Sequence, residues 1–320
     1  MKNIGVATTG GDAPGMNAAI RAVVRTAIYH HKRIFGIKRG FKGMVEGDIE
    51  EMNLSSVSGI INRGGTILKT IRAPEFKEIK TQKRAVENLK KFDIDGLIII
   101  GGNGSLIAGD ILYSRWQIPV VNIPASIDND LCFTDYTIGF DTAVNTALEA
   151  IDKIRDTATS HDRIFIVEVM GRNNGQIALE VALTSGAEGV LIPEIKFDLN
   201  KICKTLIKGH QRGKKSSIII VAEGVAKGID VAKFIEKKTK LEVRVSILGY
   251  VQRGGAPTSF SRALALRLGK IAVELLISGK YSKMVGISGN KIITTDTKKV
   301  LRYKRKIRLE DYKLINILSI

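Results

Sequence analysis

The residues with chemical potential follow predicted strands. The strand Ile4–Thr8 runs into Thr-Gly-Gly-Asp-Ala-Pro-Gly at 9–15, and the strand Leu97–Ile100 runs into Gly-Gly-Asn-Gly-Ser at 101–105. Glycines let the backbone approach a ligand closely, and a helix N-terminus favours an anion. Neither loop continues into the Gly-Lys-Ser/Thr of a Walker loop. Two such loops in one chain therefore favour phosphate binding of another kind, while one loop alone would be typical of a tight turn.

A pair of aspartates follows the next predicted strand. After Val120–Ile123 and a Pro-Ala pair, the chain reads Ser-Ile-Asp-Asn-Asp at 126–130, with carboxylates at Asp128 and Asp130. Carboxylates at i and i+2 can point in different directions, so that one serves a metal while the other accepts a hydroxyl proton. That division of roles is part of phosphoryl transfer. An Asx-rich turn without chemistry is the alternative interpretation.

Cations and one acid lie beside the remaining predicted strands. They are Arg163, Arg172, Glu223, Arg244 and Arg253. Arginine gives fixed, bidentate recognition of phosphate. A single arginine at a strand end is usually a surface ion pair, but this set, with the glycine loops and the aspartates, fits a site for two phosphorylated ligands.

The elements that must position these residues alternate along the chain, which predicts an α/β protein with mainly parallel sheets. The predicted strands are Ile4–Thr8, Arg33–Ile37, Leu97–Ile100, Val120–Ile123, Ile164–Val169, Val190–Ile192, Ser217–Ala222 and Val243–Leu248. The predicted helices include Asn17–His30, Thr81–Lys91, Asp141–Ala158 and Arg262–Ser278. In such sheets ligands bind at the carboxyl ends of strands.

The composition of the 320-residue chain is ordinary except for its charge. Fifty Lys and Arg residues against thirty-two Asp and Glu give a net charge of +18. Nucleic-acid binding, an anionic substrate, or a lysine-rich solvated surface would each account for it, and the last is favoured for the tracts at 77–84 and 297–309. Cys132 and Cys203 do not have zinc-site spacing. No signal peptide or membrane span is evident, so we expect a cytoplasmic protein.

A series of motifs resembles the bacterial ATP-dependent 6-phosphofructokinase family along nearly the whole chain. The matching runs are TGGDAPGMNAAIR, NRGGTIL, IGGNGS, SIDND, TIGFDTA, AIDKIRDTATSH, EVMGR, IIIVAEG and YVQRGGAPT. The resemblance implies two Rossmann-like three-layer α/β/α domains. The ATP domain would comprise 1–138 with 251–300, and the sugar-phosphate domain 139–250 with 301–320.

The resemblance also implies transfer of the γ-phosphoryl group of Mg-ATP to the C1 hydroxyl of fructose 6-phosphate. Asp128 matches the catalytic base, with Gly11, Arg72, Ser126 and Arg172 as further catalytic positions. The positions implied to hold ATP are Gly11, Arg72, Ala73, Gly102, Asn103, Gly104 and Ser105. Those implied for the sugar phosphate are Ser126, Ile127, Asp128, Arg163, Met170, Gly171, Arg172, Glu223, Arg244, Tyr250, Val251, Gln252 and Arg253.

Further implications concern assembly and regulation. Arg163 and Arg244 match arginines that reach the 6-phosphate across a subunit boundary, which implies a homotetramer. An effector site for ADP or phosphoenolpyruvate would involve Arg21, Arg25, Arg155, Gly186, Glu188, Arg212, Lys214, Lys215 and Ser216. These assignments give much of the arginine excess a purpose, and they require no nucleic acid and no membrane.

The chain departs from the family pattern at the expected metal site. Asn103 replaces an aspartate that contacts Mg²⁺, which leaves Asp130 as the carboxylate of the pair Asn103 and Asp130. Mg²⁺ usually takes one or two carboxylates plus substrate phosphates, so we expect a slow enzyme rather than an inactive one. Gly104 and Ala125 are small where pyrophosphate-using relatives carry Asp and Lys, which favours ATP.

Alternatives remain open at this point. The chain could be a weakened paralogue kept for binding or regulation, because of Asn103. It could also be a kinase that uses pyrophosphate or acts on another sugar phosphate. A nucleic-acid-binding role would rest on the charge alone.

Overall fold

The structure of the chain, a computed structural model, describes residues 1–214 and 216–319. These residues form two compact units. Unit 1 comprises Met1–Thr142 and Arg253–Arg305, and unit 2 comprises Ala143–Gln252 and Lys306–Ile320, of which the last residue is not described. The boundaries lie a few residues beyond the predicted ones.

The elements alternate as the apolar pattern predicts. The strands are β1 (Asn3–Thr9), β2 (Arg33–Ile37), β3 (Ile49–Met52), β4 (Gly96–Gly101), β5 (Val120–Ser126), β6 (Ile138–Gly139), β7 (Ile164–Val169), β8 (Gly189–Leu191), β9 (Ser217–Ala222), β10 (Val243–Ile247), β11 (Lys283–Ser288) and β12 (Lys291–Asp296). The helices are α1 (Met16–Tyr29), α2 (Phe41–Glu46), α3 (Ile79–Lys91), α4 (Asn103–Trp116), α5 (Phe140–Ser160), α6 (Gln176–Ser185), α7 (Leu199–Gln211), α8 (Gly228–Thr239), α9 (Ser259–Ile277), α10 (Thr297–Arg302) and α11 (Leu309–Leu318).

Unit 1 contains a mixed sheet with the order β12-β11-β5-β4-β1-β2-β3, and β6 pairs with the end of β5. Its central strands are parallel, whereas the outer strands β3 and β12 pair antiparallel with their neighbours. Strand β4 is buried along its whole length, which accounts for its unbroken apolar run. Helices α1 and α9 pack closely against each other at Ala22 of α1 and Gly269 of α9. A Cβ atom at Gly269 would lie only 2.6 Å from the Cβ of Ala22, so the close packing requires glycine at this position.

Unit 2 contains a fully parallel sheet with the order β10-β7-β9-β8. Ile164, Ile166, Ile219 and Val221 from its central strands are buried against Ile235 of α8. Burial on both faces explains why β9 reads Ser-Ile-Ile-Ile-Val-Ala. The α/β class with mainly parallel sheets is confirmed.

The C-terminal part of unit 1 corrects the interpretation of 297–309 as a wholly solvated polar tract. Thr297 and Val300 are buried. The Arg305 guanidinium donates hydrogen bonds to the carbonyl oxygens of Thr134 and Asp135. The antiparallel pair β11 and β12, which the alternation of apolar runs did not predict, places this tract against the sheet. Among the described residues, no helix has the length and apolarity needed to cross a bilayer.

Candidate active site

The two glycine-rich loops lie side by side because they follow neighbouring parallel strands. Thr9, the last residue of β1, is the register partner of Gly101, the last residue of β4. The Thr9 hydroxyl donates to Ser105 Oγ over 2.6 Å, and Ser105 Oγ donates back to the Thr9 carbonyl over 3.2 Å. A Cβ at Gly101 would lie 2.2 Å from Ser105 Oγ. The hydroxyl pair therefore joins the loops, and glycine at 101 makes room for it.

Helix α4 begins immediately after this contact. Gly102 occupies its N-cap position, and no side chain caps the helix. Neither Asn103 nor Ser105 caps α4, and the Ser105 hydroxyl is engaged with Thr9 instead. Asn103 and Gly104 are exposed, and a Cβ at Gly104 would meet nothing within 4 Å. The Ser105 N–H donates to the Gly102 carbonyl over 3.0 Å, whereas the N–H groups of Asn103 and Gly104 precede the first intrahelical hydrogen bond and lie at an open position that favours an anion.

The loop after β1 is covered by an arginine from elsewhere in unit 1. Arg253 Nη2 lies 2.9 Å from Asp12 Oδ1 and donates to the Asp12 carbonyl over 3.1 Å. A Cβ at Gly11 would lie 2.2 Å from the same nitrogen. The glycine at 11 thus permits the close approach of a guanidinium, and Arg253 lies beside the loop for which phosphate binding is predicted.

The segment that carries Arg72 is tied to the same edge of the sheet. Thr70 Oγ1 donates to the Gly10 carbonyl over 2.8 Å, and Thr8 Oγ1 donates to the Lys69 carbonyl over 2.9 Å. Arg72 itself is exposed. Two hydroxyl groups therefore hold the chain next to the loop after β1, while the guanidinium two residues later stays accessible to a ligand.

The aspartate loop follows β5, the other neighbour of β4. A Cβ at Gly102 would lie 3.6 Å from Ser126 Cβ, which places the loops after β4 and β5 in contact range. Asp128 is only 5% exposed, and its N–H donates to Ser126 Oγ over 3.2 Å. Buried Asn129, at φ +50°, donates to the Asp135 carbonyl and accepts from Thr137 N–H. Asn129 thus holds the turn that carries Asp128.

The candidate metal donors are an amide oxygen at Asn103 and a carboxylate at Asp130. Asn103 starts α4 after β4, and Asp130 lies in the loop after β5, so both belong to adjacent strand ends. Among the described residues, no group of three His, Cys, Asp or Glu side chains could hold a metal ion by itself. A donor set of one carboxylate and one amide fits Mg²⁺ that arrives with substrate phosphates, which supply the remaining oxygens.

In unit 2, Glu223 joins the carboxyl ends of β7 and β9. Its Oε1 accepts hydrogen bonds from the N–H groups of Arg172 (2.8 Å) and Gly171 (3.2 Å). Gly171 and Arg172 both have positive φ, and a Cβ at Gly224 would lie 1.7 Å from the Arg172 carbonyl oxygen. The structure therefore brings together Gly171, Arg172 and Glu223 as predicted, in a backbone arrangement that requires glycine at 224.

The predicted pocket residues from Tyr250 to Gln252 differ in exposure. Tyr250 and Val251 are 81% and 62% exposed, whereas Gln252 is fully buried. The Gln252 amide accepts from Met170 N–H over 2.8 Å and donates to the Ala143 carbonyl. The Gln252 side chain thus holds the backbone at Met170 and does not face solvent.

Arg163 and Arg244 belong to the same sheet but lie at the amino ends of its strands, opposite to the carboxyl ends where Arg172 and Glu223 lie. Arg163 immediately precedes β7, and Arg244 is the second residue of β10. Met170 follows β7 seven residues after Arg163, or roughly 23 Å at about 3.3 Å per residue. The two arginines therefore cannot join the Arg172–Glu223 group of their own chain in one phosphate pocket.

A carboxylate that the sequence analysis missed holds these two arginines. Arg163 Nε lies 2.8 Å from Glu242 Oε1, and Arg244 Nη2 contacts the same oxygen. The hydrogen bond from Arg163 lowers the pKa of exposed Glu242, against a smaller desolvation effect. The signal was the alternation Glu-Val-Arg at 242–244, which places both charged side chains on the same side of the extended chain where β10 begins.

Part of the predicted effector set also comes together in unit 2. Arg155 donates to the Ser185 carbonyl over 2.6 Å, next to Gly186. Glu188 accepts from Ile218 N–H and lies 2.9 Å from Lys214 Nζ. Of the remaining predicted effector residues, Arg21 and Arg25 lie on α1 in unit 1, Arg212 ends α7, Ser216 lies 3.5 Å from the Thr159 hydroxyl, and Lys215 is outside the described residues.

Comparison with known proteins places this chain among phosphofructokinases. A family model described as phosphofructokinase matches residues 3–276. The ATP-dependent 6-phosphofructokinases of Bacillus pumilus (strain SAFR-032) and Bacillus subtilis (strain 168) are each 53% identical over 320 residues, which is all of both chains. The Pichia pastoris phosphofructokinase in the T-state is 34% identical with a TM-score of 0.91, over 94% of this chain and 35% of that one. The pyrophosphate-dependent enzyme of Marinobacter aquaeolei shares the fold at 23% identity, with a TM-score of 0.86 over 97% of this chain and 86% of that one. With its full-length identity and the family match, the chain belongs to the phosphofructokinase family.

Proposed function

We propose that this protein is an ATP-dependent 6-phosphofructokinase of glycolysis. It transfers the γ-phosphoryl group of ATP to the C1 hydroxyl of fructose 6-phosphate and releases ADP. The observation that carries the proposal is the contact of three loops at adjacent strand ends in unit 1, two rich in glycine and one presenting Asp128. The names of the 53% identical relatives support the choice of donor and acceptor.

Asp128 is the group we assign as general base. Hydrogen bonds of Asn129 and Ser126 hold the backbone of its loop, and the Asp128 side chain is buried. In the reaction the C1 hydroxyl passes its proton to Asp128, and its oxygen attacks the γ-phosphorus while the bond to the bridging oxygen of ADP breaks. The open first turn of α4, the loop at Gly11 and the accessible Arg72 would then bind the phosphate chain of the nucleotide.

Asn103 and Asp130 are the residues that would hold Mg²⁺ with the nucleotide. The cation would supply charge neutralisation on the transferred phosphoryl group. Because asparagine offers an oxygen without charge, Asp130 would be the one carboxylate that holds the ion, and we expect slower transfer than in a two-carboxylate site.

For the sugar phosphate we propose a pocket shared between subunits. Arg172 and Glu223 would meet the sugar at the carboxyl edge of the unit 2 sheet, whereas Arg163 and Arg244 lie at its amino edge, roughly 23 Å away. A neighbouring copy would therefore supply the two arginines to the 6-phosphate, as in the predicted homotetramer. We also propose that ADP or phosphoenolpyruvate binds near Arg155 as an effector. We propose the cytoplasm as the cellular location of the protein.

Donor and acceptor profiling tests the proposal. The native protein is assayed with ATP or pyrophosphate as donor and with fructose 6-phosphate or other sugar monophosphates as acceptor, and the products are identified by mass spectrometry. We expect fructose 1,6-bisphosphate from ATP, and a loss of at least about a hundredfold in turnover for Asp128→Asn, since general bases contribute roughly 10²–10⁴. Preference for pyrophosphate or for another sugar phosphate would contradict the proposal, as would sugar-phosphate binding without turnover.

A further inference from the structure

A cavity in unit 1 lies outside the residues of the proposed active site. Its volume is about 640 Å³, within the range of roughly 300–1,000 Å³ typical of ligand pockets. It is formed by the end of α4, the start of β11, the end of β12 and the short helix α10. Its lining consists of three tyrosines, four cations, one serine and one carboxylate. Aromatic rings can stack on a planar group, and cations can bind an anion, so this lining suits a ligand that carries both.

The cavity carries a net positive charge that the chain does not neutralise. Lys283 pairs with Asp296 across β11 and β12, where the two residues are register partners. Within the described part of the chain, Lys298 and Arg302 have no acidic partner. Lys299 Nζ lies 5.0 Å from the centre of the Phe133 ring, which holds its side chain against the wall. Three cations therefore remain for an anionic ligand after the one internal ion pair is counted.

The aromatic part of the wall is also held in place. The rings of Tyr113 and Tyr281 contact each other with centroids 6.4 Å apart, and Tyr303 packs edge-on against Phe133 at 5.7 Å. Tyr303 is 60% exposed. Tyrosine faces pre-positioned in this way offer stacking surfaces for a planar ring at little conformational cost.

The cavity and the catalytic loops lie at opposite ends of the strands of this sheet. Lys283 pairs with Val121 near the start of β5, whereas Ser126 ends that strand five residues later, roughly 17 Å away. Tyr113 likewise lies ten residues after Asn103 along α4, or roughly 15 Å. A ligand in the cavity would therefore not occupy the ATP position of the same chain.

We propose that this cavity is a nucleoside polyphosphate site separate from the active site. The phosphates would contact Lys298, Lys299 and Arg302, and the base would stack on Tyr281 or Tyr303. Arginine and lysine supply charge-assisted hydrogen bonds to phosphate oxygens, and the cavity is large enough for a base and a short phosphate chain. The site also gives part of the +18 charge a specific ligand.

Hydrogen–deuterium exchange of the full chain tests the proposal locally, with ADP and inorganic tripolyphosphate as probes. We expect ADP to protect peptides within 281–303, at a concentration dependence distinct from that of peptides covering 101–112. Lys298→Ala/Arg302→Ala should weaken the protection of 281–303 about tenfold and leave that of 101–112 unchanged. Lys90→Ala/Lys91→Ala removes the same charge from the exposed end of α3 and should change neither. Equal effects of the two double variants, or no protection of 281–303 by ADP, would overturn the proposal.

A tyrosine variant distinguishes the nucleoside from the phosphates. Tyr281→Leu/Tyr303→Leu should weaken ADP binding at 281–303 and leave tripolyphosphate binding there unchanged, whereas Tyr281→Phe/Tyr303→Phe should preserve both. Tripolyphosphate binding that equals ADP binding in every variant would refute the nucleoside component. Stronger protection by a single-stranded oligonucleotide than by ADP would replace the proposal with nucleic-acid binding. Turnover of ATP and fructose 6-phosphate without added ADP should be unchanged in the Lys298/Arg302 variant.

Discussion

Replacing Ser105 by alanine tests whether the buried hydroxyl pair holds the two glycine-rich loops together. The change removes the 2.6 Å bond from Thr9 Oγ1 and the 3.2 Å bond to the Thr9 carbonyl. Thr9 is fully buried and Ser105 is 3% exposed, so water does not readily replace the lost partner. A buried donor without its acceptor costs about 1–3 kcal/mol, and a second lost bond about 0.5–1.5 kcal/mol more. We therefore expect a loss of roughly 2–3 kcal/mol.

The loss should appear as a fall in the melting temperature of roughly 5–10 °C, since about 1 kcal/mol shifts a large domain by about 2–4 °C. Thr9→Val keeps the shape of the side chain but removes the donor, and it completes a double-mutant cycle. We expect a coupling of about 1 kcal/mol between the two sites, because they share one bond. Steady-state kinetics should show a larger rise in the KM for ATP than in the KM for fructose 6-phosphate. A melting temperature within about 1 °C of native, or additive costs in the cycle, would refute the reasoning.

Three further predictions concern charges at other positions. Glu242→Gln should lower the KM for fructose 6-phosphate about two- to fivefold at pH 7, because it releases Arg163 and Arg244 from a competing carboxylate; a raised KM in steady-state assays would contradict this. Gly104→Asp should keep the native melting temperature, since the position is open, yet raise the KM for ATP through repulsion of the phosphates; a large loss of stability would show that the position is not open. Burial raises the pKa of Asp95, but hydrogen bonds from two backbone N–H groups outweigh it and leave that pKa below its ordinary 3.8. These hydrogen bonds to the Asp95 carboxylate stabilise the folded state fully above pH 3.8, and the stabilisation is lost as the pH falls through the lowered pKa of Asp95. Because Asp95 is exposed and solvent screens its charge, Asp95→Asn should cost at most about 1 kcal/mol in denaturant titrations at pH 7 and progressively less near pH 3, and an equal cost at both pH values would exclude this assignment.

The apolar strands were predictable from the sequence because burial on both faces leaves a continuous run of Val, Ile and Leu. Strands such as β4 and β9 are of this kind. In contrast, no residue of β12 is buried at the edge of its sheet, and its sequence Lys-Ile-Ile-Thr-Thr-Asp merges into a polar tract. Burial of Thr297 and Val300 depends on packing against β11 and α4, which no local pattern reveals.

The candidate site divides in a similar way between local and long-range information. Asp128 and the loop at 101–105 follow predicted strands, so their place at a sheet edge could be inferred. The contact of Arg253 with Asp12 joins residues 241 positions apart, and only the tertiary fold brings them together. The position of Gln252 also depends on the tertiary fold. Its side chain is buried and accepts a hydrogen bond from Met170 N–H, so it holds the backbone and does not face a ligand.

Steady-state ADP formation from Mg-ATP and fructose 6-phosphate, measured for the native protein and for Asn103→Asp, tests the account most directly. Position 103 is open to solvent at the start of α4, so the substitution should not disturb the fold, and the melting temperature serves as the control. We expect turnover by the native protein and faster turnover by the aspartate variant, because a second carboxylate would strengthen the metal site. No turnover by either protein, with fructose 6-phosphate still bound, would contradict the assignment as a phosphofructokinase, and equal rates would contradict the role given to Asn103.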